Sequence, residues 1–125
     1  MIFLDAPVFI SAFTISDNCG KCRNLLESGG FVTNTLVIAE SANGIGRIAS
    51  KDEALQFLRW IFRVGSVNIL DVDKNLVFSA MRSLKKSHLS FLDCIHYSTA
   101  ETYECDAICT YDKDFDKLPI KRIEP

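Results

Sequence analysis

Short apolar runs alternate with longer amphipathic segments along this 125-residue chain, and that alternation limits the folds open to it. Ile2–Leu4, Val67–Leu70 and Ala107–Thr110 have the length of buried strands, and an aspartate follows each of them within two residues. The segments between them repeat apolar residues at helical spacing. This order predicts an α/β fold, with a mostly parallel central sheet of about four to five strands flanked by helices on both faces. Residues Ile120–Ile123 are a candidate edge strand.

Polar residues mark where the helices begin. Pro7 suits the first turn of a helix after the first strand, because no N–H is needed there. Ser50 and Ser90 each stand three residues before an acid, which is the pattern of a capping box. The helix that starts at Ser90 is expected to reach about Glu104. Further candidate caps are Asn34 or Thr35, and Asp71 or Asp73.

Glycines mark where two helices are expected to end. Cys19–Glu27 is predicted to be a helix closed by Gly29 and Gly30. Gly44 and Gly46 predict a break in the helix that begins near residue 34, because glycine weakens a helix interior.

The composition suits one globular domain over residues 1–125. Hydrophobic residues make up 48% of the chain, enough for a core without metal or disulfide staples. The net charge of −2 argues against a protein that coats nucleic acid by bulk attraction. No apolar run is long enough to cross a membrane, and no export signal precedes the first strand. We therefore expect a cytoplasmic protein with reduced cysteines, including the pair Cys19 and Cys22, which lacks the partners of a zinc site.

Four acidic residues are candidates for chemistry. Asp5 and Asp112 follow strands, so a parallel sheet places both at the edge where its strands end, the usual ligand-binding edge. Asp93 lies in the first turn of a helix. Glu40 follows the apolar stretch Val37–Ala39, and a carboxylate there is costly to bury unless it is paired or binds a cation. Each acid also has a purely structural explanation, as a helix cap, a turn residue or an outward-facing side chain.

Taken together, four segments resemble the PIN-domain family, in particular the small prokaryotic members of VapC type that are toxins of toxin–antitoxin pairs. In chain order they are Ile2-Phe3-Leu4-Asp5, Val37-Ile38-Ala39-Glu40, Leu89-Ser90-Phe91-Leu92-Asp93 and Cys109-Thr110-Tyr111-Asp112-Lys113-Asp114-Phe115. The last segment, a strand followed by Thr-x-Asp-x-Asp-Phe, is the most specific. The resemblance extends from Ile2 to about Leu118. One departure is Pro7, since the family commonly has Asn, Ser or Thr there to support the first aspartate.

The resemblance implies a single PIN-like domain that is a metal-dependent endoribonuclease, hydrolysing phosphodiester bonds in RNA. Asp5, Glu40 and Asp93 would be the core acids, and Asp112 a more variable fourth. All four are candidate catalytic residues and candidate ligands of Mg²⁺ or Mn²⁺, which prefer oxygen ligands.

Further residues are candidates for holding the acids in place or for contacting RNA. Thr110, Asp114 and His96 are expected near the acids, where the Thr110 hydroxyl can orient Asp112. Candidate contacts to the RNA backbone are Arg47, Arg82, Lys85 and Lys86. For the last three, a solvated helix face is an equally good explanation.

The resemblance also implies two kinds of protein partner, an antitoxin that covers the acids and a second copy of the chain. The candidate surface for a homodimer comprises Phe9, Phe13, Leu25 and Leu26 on the early helices. The same residues can equally belong to the core.

Two other functions remain open from the sequence. One is a non-catalytic or weakly active module of the same fold that binds RNA or protein, which Pro7 favours. The other is a phosphotransfer receiver domain, which needs paired acids after the first strand, whereas Asp5 stands alone there.

Overall fold

Five parallel strands form one sheet in the order β3-β2-β1-β4-β5. The structure is a computed structural model that describes residues 1–125. The strands are β1 (Ile2–Leu4), β2 (Phe31–Asn34), β3 (Val67–Leu70), β4 (Ala107–Cys109) and β5 (Lys121–Ile123). The predicted α/β class is confirmed, and β5 is the expected edge strand.

Six helices connect the strands. They are α1 (Ala6–Ala12), α2 (Cys19–Ser28), α3 (Thr35–Ile48), α4 (Lys51–Ile61), α5 (Lys74–Leu84) and α6 (Phe91–Thr102), with a short 3₁₀ helix at Lys113–Lys117. Asn34, Ser50, Asp73 and Ser90 each accept a hydrogen bond from the backbone N–H three residues later. These bonds satisfy donors that a helix start leaves unpaired. None of the helices has the length and apolar character needed to cross a membrane.

The strand β2 was not indicated by the apolar pattern. It contains Thr33 and Asn34, so half of it is polar, yet all four of its residues are buried. The Thr33 hydroxyl donates to the Leu4 carbonyl at 3.0 Å, so burial leaves it satisfied. Gly29 and Gly30 precede the strand with φ angles of 75° and 78°, which glycine adopts without strain. Because β2 pairs with β1, Asn34 reaches the same sheet edge as Asp5.

The predicted break at Gly44 and Gly46 is wrong, since α3 continues through both residues. A Cβ atom at position 44 would lie 2.5 Å from Cδ1 of Ile10, so the glycine allows α3 to pack closely against α1. Continuity of the helix keeps Arg47 two turns beyond Glu40 on the same face.

The early helices bury much of the candidate dimer surface. Phe9 is 0% exposed and Leu26 is 5% exposed. The rings of Phe9 and Phe13 pack against Phe57 with centroid distances of 5.5 and 5.2 Å. Phe13 and Leu25 are partly buried against the same core. The core explanation therefore holds for Phe9 and Leu26. Phe13 and Leu25 keep part of their surface exposed, and the homodimer stays a prediction. All five cysteines are free thiols.

Candidate active site

One cleft at the carboxyl edge of the sheet is lined by all four predicted acids. Asp5 follows β1, Asp112 follows β4, Glu40 comes from α3, and Asp93 comes from the first turn of α6. The other residues that line this acid cleft are Ala6, Pro7, Ile10, Asn43 and Arg47. Residues separated by more than one hundred positions in the chain thus meet because parallel strands end at the same edge.

Asp5 is the most buried of the four acids, at 5% exposure. Its Oδ1 accepts a hydrogen bond from the Ala6 N–H at 2.8 Å, and its Oδ2 accepts one from the Thr110 hydroxyl, also at 2.8 Å. Burial nevertheless raises the pKa of Asp5 above its ordinary value. The support that Pro7 cannot give to Asp5 is supplied by Thr110 instead.

Thr110 also contacts a second acid. Its Oγ1 accepts a hydrogen bond from the backbone N–H of Asp112 at 3.1 Å. The sequence suggested that Thr110 orients Asp112, and the hydroxyl in fact joins Asp112 to Asp5. The turn after β4 is held further by Asp114, whose N–H donates to Oδ1 of Asp112 at 2.9 Å.

Asp93 is half-buried at the N-terminus of α6. Its backbone N–H donates to the Ser90 hydroxyl at 3.2 Å. Burial and the negative charge of Asp5 raise the pKa of Asp93 to about 6. The Asp93 carboxyl group therefore titrates about one unit below neutral pH.

Glu40 is held by a neighbour from α6. Its Oε1 lies 2.8 Å from Nε2 of His96, and His96 is completely buried. His96 stands one turn beyond Asp93, so its place near the acids agrees with the expectation from the sequence.

The remaining predicted residues lie apart from the acid cleft, with one exception. Arg82 and Lys86 line a different polar cleft between α5, α6 and residues 117–119, and Lys85 is exposed. The side chain of Asp114 is exposed and does not line the acid cleft. The exception is Arg47, which does line it.

No lysine or arginine neutralises the acids. The ion pairs of the chain join the N-terminus to Asp106 and Arg122 to Asp116 and Glu124, apart from the contact between His96 and Glu40. Arg47 is exposed and makes no ion pair with a carboxylate. Asp5, Asp93 and Asp112 are therefore left without an ion pair to a lysine or arginine.

This donor set fits a hard divalent cation. No three His, Cys, Asp or Glu side chains converge closely enough to form a ready-made metal cage. Asp5 directs one oxygen toward Thr110, and Glu40 directs one toward His96. Magnesium commonly binds through only one or two carboxylates and keeps several waters, so a cage is not required. Unpaired, mutually repelling carboxylates are the chemistry that such an ion relieves.

Two residues, one in the cleft and one beside it, were not among the predicted site residues. Asn43 lines the cleft from α3, and Asn34 lies behind it, hydrogen-bonded to His96. Asn43 stands three residues after Glu40 and before the expected break at Gly44, so the spacing of a shared helix face could have identified it. Asn34 was identified only as a cap because β2 was not recognised.

A sequence comparison identifies the family. The profile of the PIN domain matches residues 2–121, nearly the whole chain. The chain belongs to the PIN-domain family. Members of this family are generally nucleases, and PIN nucleases typically use divalent metals. The resemblance noted in the sequence is thereby confirmed.

Solved structures show the same fold at low sequence identity. The toxin VapC20 of Mycobacterium tuberculosis, described as cleaving the sarcin-ricin loop, superposes with a TM-score of 0.87, at 18% identity and with 100% of both chains covered. A toxin–antitoxin complex from Klebsiella pneumoniae gives 0.72 at 16% identity, covering 95% of this chain and 93% of the other. VapBC2 from Rickettsia felis, bound to a DNA fragment from their promoter, gives 0.71 at 17% identity, covering 99% and 98%. No curated protein sequence matches this PIN-domain chain.

Proposed function

We propose that this PIN-domain protein is a metal-dependent endoribonuclease and the toxin of a toxin–antitoxin pair. The observation that carries the proposal is the acid cleft, which four carboxylates line with no lysine or arginine paired to Asp5, Asp93 or Asp112. The fold neighbours, which include toxins and toxin–antitoxin complexes, support the biological setting.

The four acids have different roles in this proposal. Asp5 and Asp93 would hold Mg²⁺ or Mn²⁺ directly, and Glu40 and Asp112 would either hold it as well or accept a proton from a water. A bound divalent ion supplies an acidified water and stabilises negative charge on the phosphodiester. Thr110 holds Asp5 in place with its hydroxyl, and the Ala6 N–H does the same from the other side.

Arg47 is the proposed contact to the RNA backbone. It lines the acid cleft and also an adjoining groove between α3 and α4, which contains Lys51. Asn43 lies in both surfaces too. A strand whose scissile phosphate meets the acids would find its next phosphates beside Arg47 and Lys51. Arg82, Lys85 and Lys86 have no comparable link to the acids, so we assign them no part in cleavage.

A cleavage assay tests the proposal. Purified protein is incubated with structured RNAs, including a sarcin-ricin loop oligonucleotide, with Mn²⁺, with Mg²⁺ or with EDTA. We expect metal-dependent cleavage that falls at least about 100-fold in Asp5→Asn and in Asp93→Asn, because each substitution removes a charged oxygen ligand. The matched control is Asp17→Asn, an exposed aspartate outside the cleft, which should cleave like the wild type.

Other outcomes point elsewhere. Cleavage that survives EDTA or both cleft substitutions would contradict the assignment. If every RNA stays intact but calorimetry still detects Mn²⁺ binding that Asp5→Asn abolishes, the non-catalytic binding module becomes the better description. Circular dichroism on each variant shows whether the fold is retained.

A further inference from the structure

We infer that Asn34 fixes His96 as the neutral Nε2–H tautomer, and that His96 in this form is a positioning residue for Glu40. The catalytic consequence rests on the proposed ribonuclease function, whereas the hydrogen-bond arrangement does not. The inference begins from an unusual feature, an imidazole that is 0% exposed beside a cleft of carboxylates.

His96 is held at both ring nitrogens. Its Nδ1 lies 3.1 Å from Nδ2 of Asn34, and its Nε2 lies 2.8 Å from Oε1 of Glu40. A neutral imidazole carries its proton on one nitrogen only, and the partner of the other nitrogen decides which. The orientation of the Asn34 amide therefore determines what His96 can offer Glu40.

The Asn34 amide can take only one orientation. Its Oδ1 accepts the Val37 N–H at 2.8 Å, the cap of α3. Its Nδ2 donates to the Thr99 hydroxyl at 2.8 Å. That hydroxyl in turn donates its own hydrogen to the Ile95 carbonyl at 2.9 Å. Turning the amide over would place its NH₂ group against the Val37 N–H and leave Thr99 without its donor.

The proton on His96 follows from this orientation. The second N–H of Asn34 points at Nδ1 of His96, so Nδ1 must present its lone pair. The single ring proton then lies on Nε2, where it is donated to Glu40. A ring protonated at both nitrogens would set its Nδ1–H against the Asn34 N–H, two donors facing each other where the imidazole is completely buried. Every buried side-chain nitrogen and oxygen of the chain has a hydrogen-bond partner.

A fixed neutral donor suits Glu40 in the proposed site. It holds Oε1 and leaves the other oxygen of Glu40 available to the cleft, where 35% of the side chain is exposed. His96 acts through Glu40 and does not line the acid cleft itself.

Three variants separate positioning from packing. Asn34→Asp keeps an oxygen for the Val37 N–H but replaces the donor facing Nδ1 by an acceptor. His96→Leu fills similar space without a donor. His96→Gln places an amide N–H near the former Nε2 and is the conservative rescue.

The first measurement needs neither metal nor RNA. Long-range ¹H–¹⁵N spectra at pH 7 should show His96 protonated at Nε2 alone in the wild type, and protonated at Nδ1 in Asn34→Asp. Side-chain couplings should show a single Glu40 rotamer in the wild type and in His96→Gln, and an averaged one in His96→Leu. A wild-type His96 with a proton on Nδ1, or an unchanged Glu40 rotamer in His96→Leu, would overturn the inference.

The second measurement concerns the cleft. We expect His96→Leu to weaken Mn²⁺ binding or lower kcat by about 10- to 100-fold with little change in KM, and His96→Gln to recover most of the loss. Equal losses of Mn²⁺ affinity or kcat in His96→Leu and His96→Gln would mean that His96 contributes only packing. If the wild type neither binds Mn²⁺ nor cleaves RNA, the proposed function fails, but the spectra still decide the tautomer and the Glu40 rotamer.

Discussion

At the scale of single residues, the acid cleft keeps charges where burial and repulsion oppose them. The pKa values of Asp5 and Asp93 are both raised, chiefly by burial. A carboxylate whose pKa is higher in the folded than in the unfolded chain destabilises the fold once it is ionised. The ionised carboxylates of the cleft therefore lower the free energy of unfolding at neutral pH.

Asp93 allows this cost to be measured. Its pKa rises from 3.8 to about 6, so its stabilising contribution is complete below pH 3.8 and is lost as the pH passes 6. After allowance for solvent screening of this half-exposed group, the loss amounts to roughly 1–2 kcal/mol. We predict that Asp93→Asn raises the free energy of unfolding by about 1 kcal/mol at pH 7.5 and changes it little at pH 4.5. Urea titrations at the two pH values measure this difference.

The control for that comparison is Asp17→Asn, since Asp17 is exposed and its substitution should change neither value. A destabilised Asp93→Asn at pH 7.5 would mean that the charge of Asp93 at the start of α6 stabilises the helix more than its burial costs.

At the scale of elements, the contact between α1 and α3 explains why the glycines of α3 are not equivalent. A Cβ at Gly44 would lie 2.5 Å from Ile10, whereas one at Gly46 would meet only the Ala54 Cβ at 3.9 Å. Both glycines weaken the helix by the same intrinsic amount. Only Gly44 allows closer packing, because α1 and α3 approach each other at this residue.

This difference yields a paired prediction. Gly46→Ala should stabilise the protein by about 0.5–1 kcal/mol, because alanine restricts the unfolded chain and fits the space. Gly44→Ala should give no such gain, because Ile10 must move. The change in urea midpoint, at constant slope, reports both. An equal gain in the two variants would show that α1 and α3 are not as closely packed as described.

The elements that sequence could predict are those with a local signal. Ser50 and Ser90 are N-cap residues that mark the starts of α4 and α6, and β1 is an uninterrupted apolar run. The strand β2 has no such signal, since its polar residues are buried through contacts with distant parts of the chain. Thr33 bonds to the Leu4 carbonyl, and Asn34 bonds to Thr99 and His96 of α6. The course of α3 through Gly44 likewise depends on Ile10, a residue of another helix.

At the scale of the whole molecule, the same distinction applies to the candidate site. Asp5 and Asp112 could be placed together from the sequence because the ends of parallel strands meet at one edge. Glu40 and Asp93, which lie on helices, joined them only through the resemblance to the PIN-domain family. Arg82, Lys85 and Lys86 form a sequence cluster, yet they lie away from that edge. Asn34 and its contact with His96 required the strand order, since 62 positions separate the two residues. Topology, more than local pattern, determines which charged groups reach the cleft.

The cleft also couples metal binding to the stability of the entire fold. An ion that binds only the folded chain stabilises it by about 2.7 kcal/mol when its free concentration is 100 times Kd. For a chain of this length that amounts to a rise of roughly 10 °C in Tm. We predict such a rise with Mn²⁺ at pH 7.5 and its loss in Asp5→Asn, measured by differential scanning calorimetry.

The pH dependence of this rise distinguishes the cleft from adventitious ion binding. Because the pKa of Asp93 is about 6, protons compete with the metal below that value. The rise in Tm should therefore shrink between pH 7.5 and pH 5, although the metal-free contribution of Asp93 to stability grows over the same interval. Asp17→Asn should keep the full response. If Mn²⁺ raises Tm equally in the wild type and in Asp5→Asn at both pH values, the ion binds outside the acid cleft, and the cleft carboxylates are not its ligands.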